Sequence, residues 1–273
     1  MKLSCLPVTL FKDIINGKST LNDWAVLANK LGLDGVDLSV LLVKDRTPVC
    51  VTAARKAIDK EDIGVIMITT YPDFTNPCAA QREREVAFAI ADVALASAMG
   101  AKYLRITAGQ YYDWDNEDEA LKIVKECFLR VKEAADKMGV KLLFENHSKP
   151  GAWENPDYLF DTRRFLKLAE LLKDTDIRIN FDTANTVAFG DDAVEVFKKV
   201  LPQVETIHVN DLKAAGGVDF VVCGRGVAPI QEIFSIAKQG GFDGWVCIEE
   251  AGFDGVEGIA EAVKFTREAW ERA

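Results

Sequence analysis

Apolar residues fall along the chain in two kinds of stretch that take turns from end to end. Short continuous runs (KLSCLPV, GVDLSVLL, VIMITTY, KYLRITA, KLLFEN, IRINFD, VETIHV and WVCIEE) alternate with longer amphipathic ones such as TLNDWAVLANKLG, TAARKAIDKEDIG, AAQREREVAFAIADVALASAMG and EDEALKIVKECFLRVKEAADKMG. The second half continues with YLFDTRRFLKLAELLKD, DAVEVFKKVL, PIQEIFSIAKQGG and EGIAEAVKFTREAWERA. A continuous apolar run of strand length is what burial on both faces of a parallel sheet produces, whereas a spacing of three and four residues marks a helix with one buried face. Thr20 or Asn22 is placed to cap the first long helix, and the glycines of AMG, KMG and KQGG are placed to end theirs. Eight strand-helix units with no segment left over predict an α/β fold, a single (β/α)8 TIM barrel spanning residues 1–273. The competing doubly wound sheet carries a phosphate-binding fingerprint after its first strand, and PVTLFKDIING contains no GxGxxG.

Composition narrows the function classes. With 49% apolar residues and a net charge of −10, the chain can fill a large core but is a poor match to a nucleic acid backbone. Cys5, Cys50, Cys78, Cys127, Cys223 and Cys247 are scattered without CxxC spacing, the pattern of reduced thiols rather than of a zinc site or a disulfide framework. No basic and apolar leader precedes Leu3-Ser4-Cys5, and no run approaches the length of a membrane span. A cytoplasmic protein with no membrane partner is the expectation, and self-association into a dimer or tetramer is compatible with the sequence.

In a barrel of this type, function sits at the carboxyl ends of the strands. The fifth strand ends in Glu145, the sixth in Asp182, the seventh carries His208 and the eighth Glu249. Taken singly, Asp182 can organise a turn, Glu249 can be an ion-paired rim residue and His208 a satisfied core histidine. Glu145 is harder to explain, because a carboxylate closing a buried strand must be paired or bound. Together on adjacent strands, with an imidazole beside them, the three carboxylates would repel one another without a cation. One divalent metal ion, Mn²⁺, Co²⁺, Mg²⁺ or Zn²⁺, fits that donor set.

The segments FENH, FDTAN, IHVND, the CGRG loop and GFDGWVCIEE occur in the order of strand-end segments in a known family. On these motifs the chain resembles the xylose isomerase-like TIM-barrel superfamily of sugar and sugar-phosphate isomerases, 3-epimerases and dehydratases, over essentially its whole length. The resemblance implies metal ligands at Glu145, Asp182, His208 and Glu249. It also implies an acid–base role for Glu145 and Glu249, exchanging a proton next to a carbonyl through an enediolate. It further implies substrate contacts at Arg225 in CGRG, beside Gly224 and Gly226, and at Asn185 and His147. Trp153 and the segment from Tyr71 to Phe74 are candidate walls, and Asp211 is a candidate support for His208. Many relatives carry Lys where Asn210 stands, which weighs against a phosphate-bearing substrate.

The resulting expectation is a metal-dependent isomerase or 3-epimerase of a keto sugar or sugar phosphate. The alternative is a metal-dependent dehydratase of a cyclic polyol or dehydroshikimate-like acid, which begins with the same proton abstraction. A DNA-repair endonuclease built on several histidines is disfavoured, since His147 and His208 are the only two in the chain. A catalytically silent sugar-binding barrel is disfavoured by the full set of acid, base and metal positions.

Overall fold

Eight parallel strands form where the continuous apolar runs lie, in a computed structural model that describes residues 1–148 and 153–273. They are β1 (Lys2–Leu6), β2 (Gly35–Ser39), β3 (Gly64–Thr69), β4 (Tyr103–Ile106), β5 (Lys141–Glu145), β6 (Arg178–Asp182), β7 (Val204–Val209) and, after a small hairpin of β8 (Asp211–Leu212) and β9 (Phe220–Val221), β10 (Trp245–Glu249). Neighbours pair in the order β1-β10-β7-β6-β5-β4-β3-β2. The ring closes between β1 and β2, where Leu3 N–H donates to the Asp34 carboxylate and Asp34 N–H to the Leu3 carbonyl, each at 2.8 Å. The molecule is a (β/α)8 TIM barrel, with helices packed around the outside.

Side chains on a strand alternate between the helix layer and the barrel interior. Met67, Tyr103, Leu143 and Cys247 form a small inner cluster of their own. Two residues further along those strands stand Thr69, Arg105, Glu145 and Glu249, all buried. On β6 and β7 the inner positions are Asn180 and Thr206, which share a 2.6 Å hydrogen bond, followed by Asp182 and His208. On these six strands the period of two therefore lifts a polar residue to the carboxyl end of the barrel. Outside the ring, Phe128, Phe144 and Phe165 pack in series with centroids 5.8–6.1 Å apart, which fixes β5 against the helices Glu117–Met138 and Thr162–Leu172.

Thr20 is the cap of its helix, with Asp23 answering in a reciprocal capping box. Other boundaries move. The helix expected at TAARKAIDKEDIG starts earlier and spans Pro48–Asp59, because Pro48 is preset for the first helical turn. YLFDTRRFLKLAELLKD divides into a 3-10 turn and a helix, since the Asp161 side chain accepts from Arg163 N–H and caps a fresh start. In KQGG the left-handed residue is Gly241, not Gly240. The idea that nothing is left over is also corrected: short helices at Phe11–Ile15 and Asn185–Phe189 and the β8–β9 hairpin are additions to the eight units.

Beneath the carboxyl-end ring, Asp37 is fully buried, accepting from Ser4 Oγ at 2.8 Å and from Met67 N–H at 3.1 Å. Burial pushes its carboxyl up to about 6, against the opposing pull of His208. A carboxyl raised in the folded state contributes most when protonated, so stability is lost as pH rises from about 4 toward 6. Asp37→Asn is therefore expected to stabilise the protein by about 2 kcal/mol at pH 8, with the gain shrinking toward zero at pH 4, in urea unfolding at the two pH values.

Candidate metal centre

Glu145, Asp182, His208 and Glu249 each bring one ligand-capable atom to a common point, all of them within 4.8 Å of one another. All four residues are buried. Each is the last or next-to-last residue of its strand, so regular strand geometry delivers it without special loops.

His208 carries the observation that tests the donor set. Its Nδ1 lies 3.1 Å from Glu249 Oε2 and 3.6 Å from Glu145 Oε1, and its Nε2, wholly buried, has no hydrogen-bond partner. An orphaned buried imidazole nitrogen beside three carboxylates is costly as it stands and suits a divalent cation. The donor set fits the metal that the sequence implies.

The neighbours hold the donors in place. Asn146, next to Glu145, reaches across to β6: its Oδ1 accepts from Asp182 N–H at 2.8 Å and its Nδ2 donates to the Asp182 carbonyl at 2.9 Å. Asp182 Oδ1 accepts from the N–H groups of Ala184 and Asn185, both at 2.8 Å, so the turn function suspected for it coexists with its place in the cluster. Asn210 Nδ2 lies 3.4 Å from Asp182 Oδ2. Asn185 donates to Glu145 Oε1 at 3.3 Å and accepts from Ser148 Oγ.

Arg105, on β4, is a member of this ring that no motif pointed to. Its Nε lies 2.9 Å from Glu145 Oε2, its Cζ sits 5.0 Å from the centre of the Tyr71 ring, and its Nη1 is buried without a hydrogen-bond partner. The signal for it was present in KYLRITA, an arginine inside an apolar strand on the inward parity. A wall continues from there: the Tyr71 and His147 rings lie 6.2 Å apart, and Trp153 meets His147 edge-on at 6.3 Å. His147 Nδ1 lies 3.2 Å from Asp157 Oδ2 within a buried pair. Asp157 had no detectable sequence signal, because the loop that carries it has no periodicity.

Three expectations are relocated. Arg225 is not at the four donors; it is half-exposed and ion-paired to Asp254 and Glu261 on the far side of its loop, each at 2.5 Å. The N–H groups of Gly224 and Gly226 point at Asp211 Oδ2, at 2.9 and 2.8 Å, so Asp211 organises the CGRG loop instead of supporting His208. A Cβ on Gly226 would come within 2.3 Å of Asp211 Oδ1, which is why glycine stands there. Phe74 packs against Phe128 in the outer core, 5.8 Å between centroids, and leaves Tyr71 as the wall residue of its segment.

The electrostatics of the ring are uneven. Burial would raise the Glu145 carboxyl, but Arg105 and then His208 outweigh it and hold it at about 2. Burial, followed by the charges of Glu145 and Glu249, pushes Asp182 up to about 7. Burial opposes charging of His208, but Glu145 and Glu249 prevail and lift it to about 10.

Against known proteins, residues 25–269 match one family throughout. The chain belongs to the xylose isomerase-like TIM-barrel family. Among curated members, an inosose dehydratase of Clostridium beijerinckii is 23% identical over 160 residues, covering 53% of this chain and 50% of that protein. The chain thus spans about half the length of the curated relatives it matches. Among solved structures, a probable 3-DHS dehydratase of petrobactin synthesis from Bacillus anthracis superposes with a TM-score of 0.78 at 17% identity, covering 98% of this chain and 99% of that one. A D-psicose 3-epimerase from Clostridium cellulolyticum H10, solved with D-tagatose, gives 0.78 at 14% identity with 99% of each chain covered. These structural likenesses carry the shared fold. No described helix is long and apolar enough to cross a membrane.

The raised values of Asp182 and His208 set the pH dependence of metal binding. Both groups must lose a proton to serve as ligands, and without metal the stability contributed by protonated Asp182 disappears as pH rises from about 4 to about 7. Mn²⁺ or Zn²⁺ is therefore expected to raise Tm only slightly at pH 5.5 and by about 5 °C or more at pH 8, as read by calorimetry with and without chelator.

Proposed function

We propose that this protein is a divalent-metal-dependent dehydratase acting on a cyclic polyhydroxy ketone. The observation that carries the reading is the inequality of the acid–base groups around the cluster. Epimerisation through a planar intermediate needs two competent groups on opposite faces of one carbon, and elimination of water needs only one that takes the α-proton and hands it to the departing hydroxyl. Glu145 is poorly suited to shuttle protons, since Arg105 lies against one of its oxygens, Asn185 against the other, and its carboxyl is held at about 2. His147 is placed for the role: its Nδ1 lies 3.2 Å from Asp157 Oδ2, and a proton shared on that side would leave Nε2 as the base.

A divalent cation held by Glu145, Asp182, His208 and Glu249 supplies Lewis-acid stabilisation of the negative charge that develops beside a carbonyl. His147 Nε2 removes the proton from the carbon next to the ketone. The imidazolium, steadied by Asp157, returns that proton to the hydroxyl on the following carbon, which leaves as water as the carbon–carbon double bond forms. Arg105 and Asn185 keep Glu145 ionised and oriented, and Tyr71 and Trp153 border the side on which the ring would lie. The inosose dehydratase and the probable 3-DHS dehydratase among the relatives support this reading. An isomerase or 3-epimerase is the second reading, supported by the epimerase of the same fold and by the pairing of Glu145 with Glu249.

The test is a panel of inososes, dehydroshikimate and ketoses incubated with Mn²⁺-loaded protein in heavy water, followed by mass spectrometry. Loss of one water from a cyclic ketone is the expected result. His147→Gln is expected to lower kcat by about 10²–10⁴-fold with metal content unchanged, and Arg225→Ala to leave the rate within about twofold. Deuterium exchange beside the carbonyl without loss of water, undiminished in His147→Gln, would transfer the assignment to the second reading.

A further inference from the structure

Asp73, on the loop that leaves β3, is a buried carboxylate outside the four-residue cluster. Among the described residues, five hydrogen bonds from neutral donors converge on it. Its Oδ1 accepts from Gln110 N–H at 3.1 Å and from Thr75 Oγ1 at 3.2 Å. Its Oδ2 accepts from the Tyr112 hydroxyl at 2.8 Å, Asn76 Nδ2 at 3.1 Å and Gln110 Nε2 at 3.3 Å. Hydrogen bonds to an ionised acceptor are stronger than neutral ones, so several of them can hold a buried anion in place. Gln110 and Tyr112 belong to the loop that leaves β4, and one carboxylate therefore ties two neighbouring loops together. The approach is close: Gly109 has a φ of +128°, and a Cβ there would come within 2.6 Å of Asp73 Oδ1.

Gln110 passes this hold to a third loop. Its N–H and Nε2 are taken by Asp73, its carbonyl accepts from Thr75 Oγ1 at 2.6 Å, and its Oε1 accepts from Asn155 N–H at 3.3 Å. Its backbone forms an antiparallel bridge with Asp157. On either side of that bridge Tyr111 N–H donates to the Pro156 carbonyl at 2.7 Å and Tyr158 N–H to the Gly109 carbonyl at 2.8 Å. The Asp157 side chain is then aimed by its own turn: Leu159 N–H donates to Oδ1 at 2.7 Å, and Oδ2 faces His147 Nδ1 at 3.2 Å. Contacts thus run unbroken from Asp73 through Gln110 and Asp157 to the imidazole. The strand ladder ends at Glu145, two residues before His147, so the ring takes its orientation from loop contacts instead of from the sheet.

We infer that Asp73 and Gln110 are positioning residues for His147. They act through Asp157, holding its carboxylate against Nδ1 so that the ring keeps one orientation toward the site. Tyr71, two residues before Asp73, lies with its ring centre 6.2 Å from that of His147, so the same anchor spaces the wall against which a substrate ring would lie. A displacement of about 1 Å in a proton-handling group can cost about 10²-fold in rate, which gives a remote anchor its leverage. The inference rests on the role proposed for His147 and adds the residues that place it.

The test reads His147 directly. The chain has two histidines, so NMR of the Zn²⁺-loaded protein labelled with nitrogen-15 histidine gives two sets of ring signals, assigned with His147→Gln. The wild-type protein is expected to show a ring N–H of His147 protected from exchange with water. In Asp73→Ala and Gln110→Ala that proton is expected to exchange at least about tenfold faster, and in Asp73→Asn, which keeps one acceptor oxygen, by an intermediate factor. The His208 signals and the bound Zn²⁺ are expected to stay as they are in all three. Should Asp73→Ala not fold, Gln110→Ala decides. An unprotected His147 ring in the wild-type protein overturns the inference, as does protection unchanged in the variants, or lost only together with the His208 signals. Turnover of inososes and dehydroshikimate is a separate reading: kcat is expected to fall about 10–10²-fold in Gln110→Ala, with KM within about threefold. Faster exchange in the variants, with no loss of water from any ketone in the wild type, would keep the anchor and remove the dehydratase. Dehydration by a wild-type protein whose His147 proton is indifferent to both alanine variants would do the reverse.

Discussion

Three carboxylates and an imidazole are gathered at one end of a barrel from which water is nearly excluded, and most of the surrounding structure answers to that fact. Burial first, and then the charges of Glu145 and Glu249, drive Asp182 upward, while against the cost of burial Glu145 and Glu249 draw His208 toward its charged form. Among the described residues one buried permanent positive charge, Arg105, stands in the ring, and it lies against Glu145. That choice breaks the symmetry of the cluster: one glutamate is locked as an anion, while Asp182 on the neighbouring strand takes the strain. A cation that binds here is therefore coupled to proton release from Asp182 and His208 more than from Glu145.

The polar shell makes mechanical sense in the same terms. Asn146 grips both backbone groups of Asp182 from the adjoining strand end, doing by side chain what the sheet ladder can no longer do where β5 and β6 stop. Asn185 ties Glu145 to Ser148, so the loop leaving β5 is fastened to the turn leaving β6. Ligand positions at a strand terminus would otherwise inherit the freedom of the loops beyond.

The barrel and the clustering of four side chains at its mouth were readable from the sequence because both follow from periodicity. A strand buried on both faces has few places for a charged residue, so Glu145, Asp182, His208 and Glu249 stand out as interruptions of apolar runs at equivalent positions. Arg105 obeys the same rule and was legible in principle, sitting on the inward parity two residues after Tyr103. Arg225 illustrates the opposite case. A loop arginine between glycines has the composition of an anion site, but its direction depends on which carboxylates lie within reach, and Asp254 and Glu261 arrive from a distant part of the chain. Asp157 and the role of Asp211 were illegible for the same reason: tertiary partners decide them, and local pattern does not record those partners.

Set side by side, Glu145 and His147 show how a shared metal cluster can be turned to different chemistry. They are two residues apart, yet one is held by a guanidinium and the other by a carboxylate. A guanidinium partner stabilises an anion and takes it out of proton traffic; a carboxylate partner orients an imidazole and can hold the proton on one of its ring nitrogens. A proton-handling group on the wall instead of at the cluster would change the geometry of transfer from two faces of one carbon to one face of two adjacent carbons. On the proposed reading, the difference between inverting a centre and expelling water would reside less in the four clustered side chains than in what stands behind Glu145 and His147.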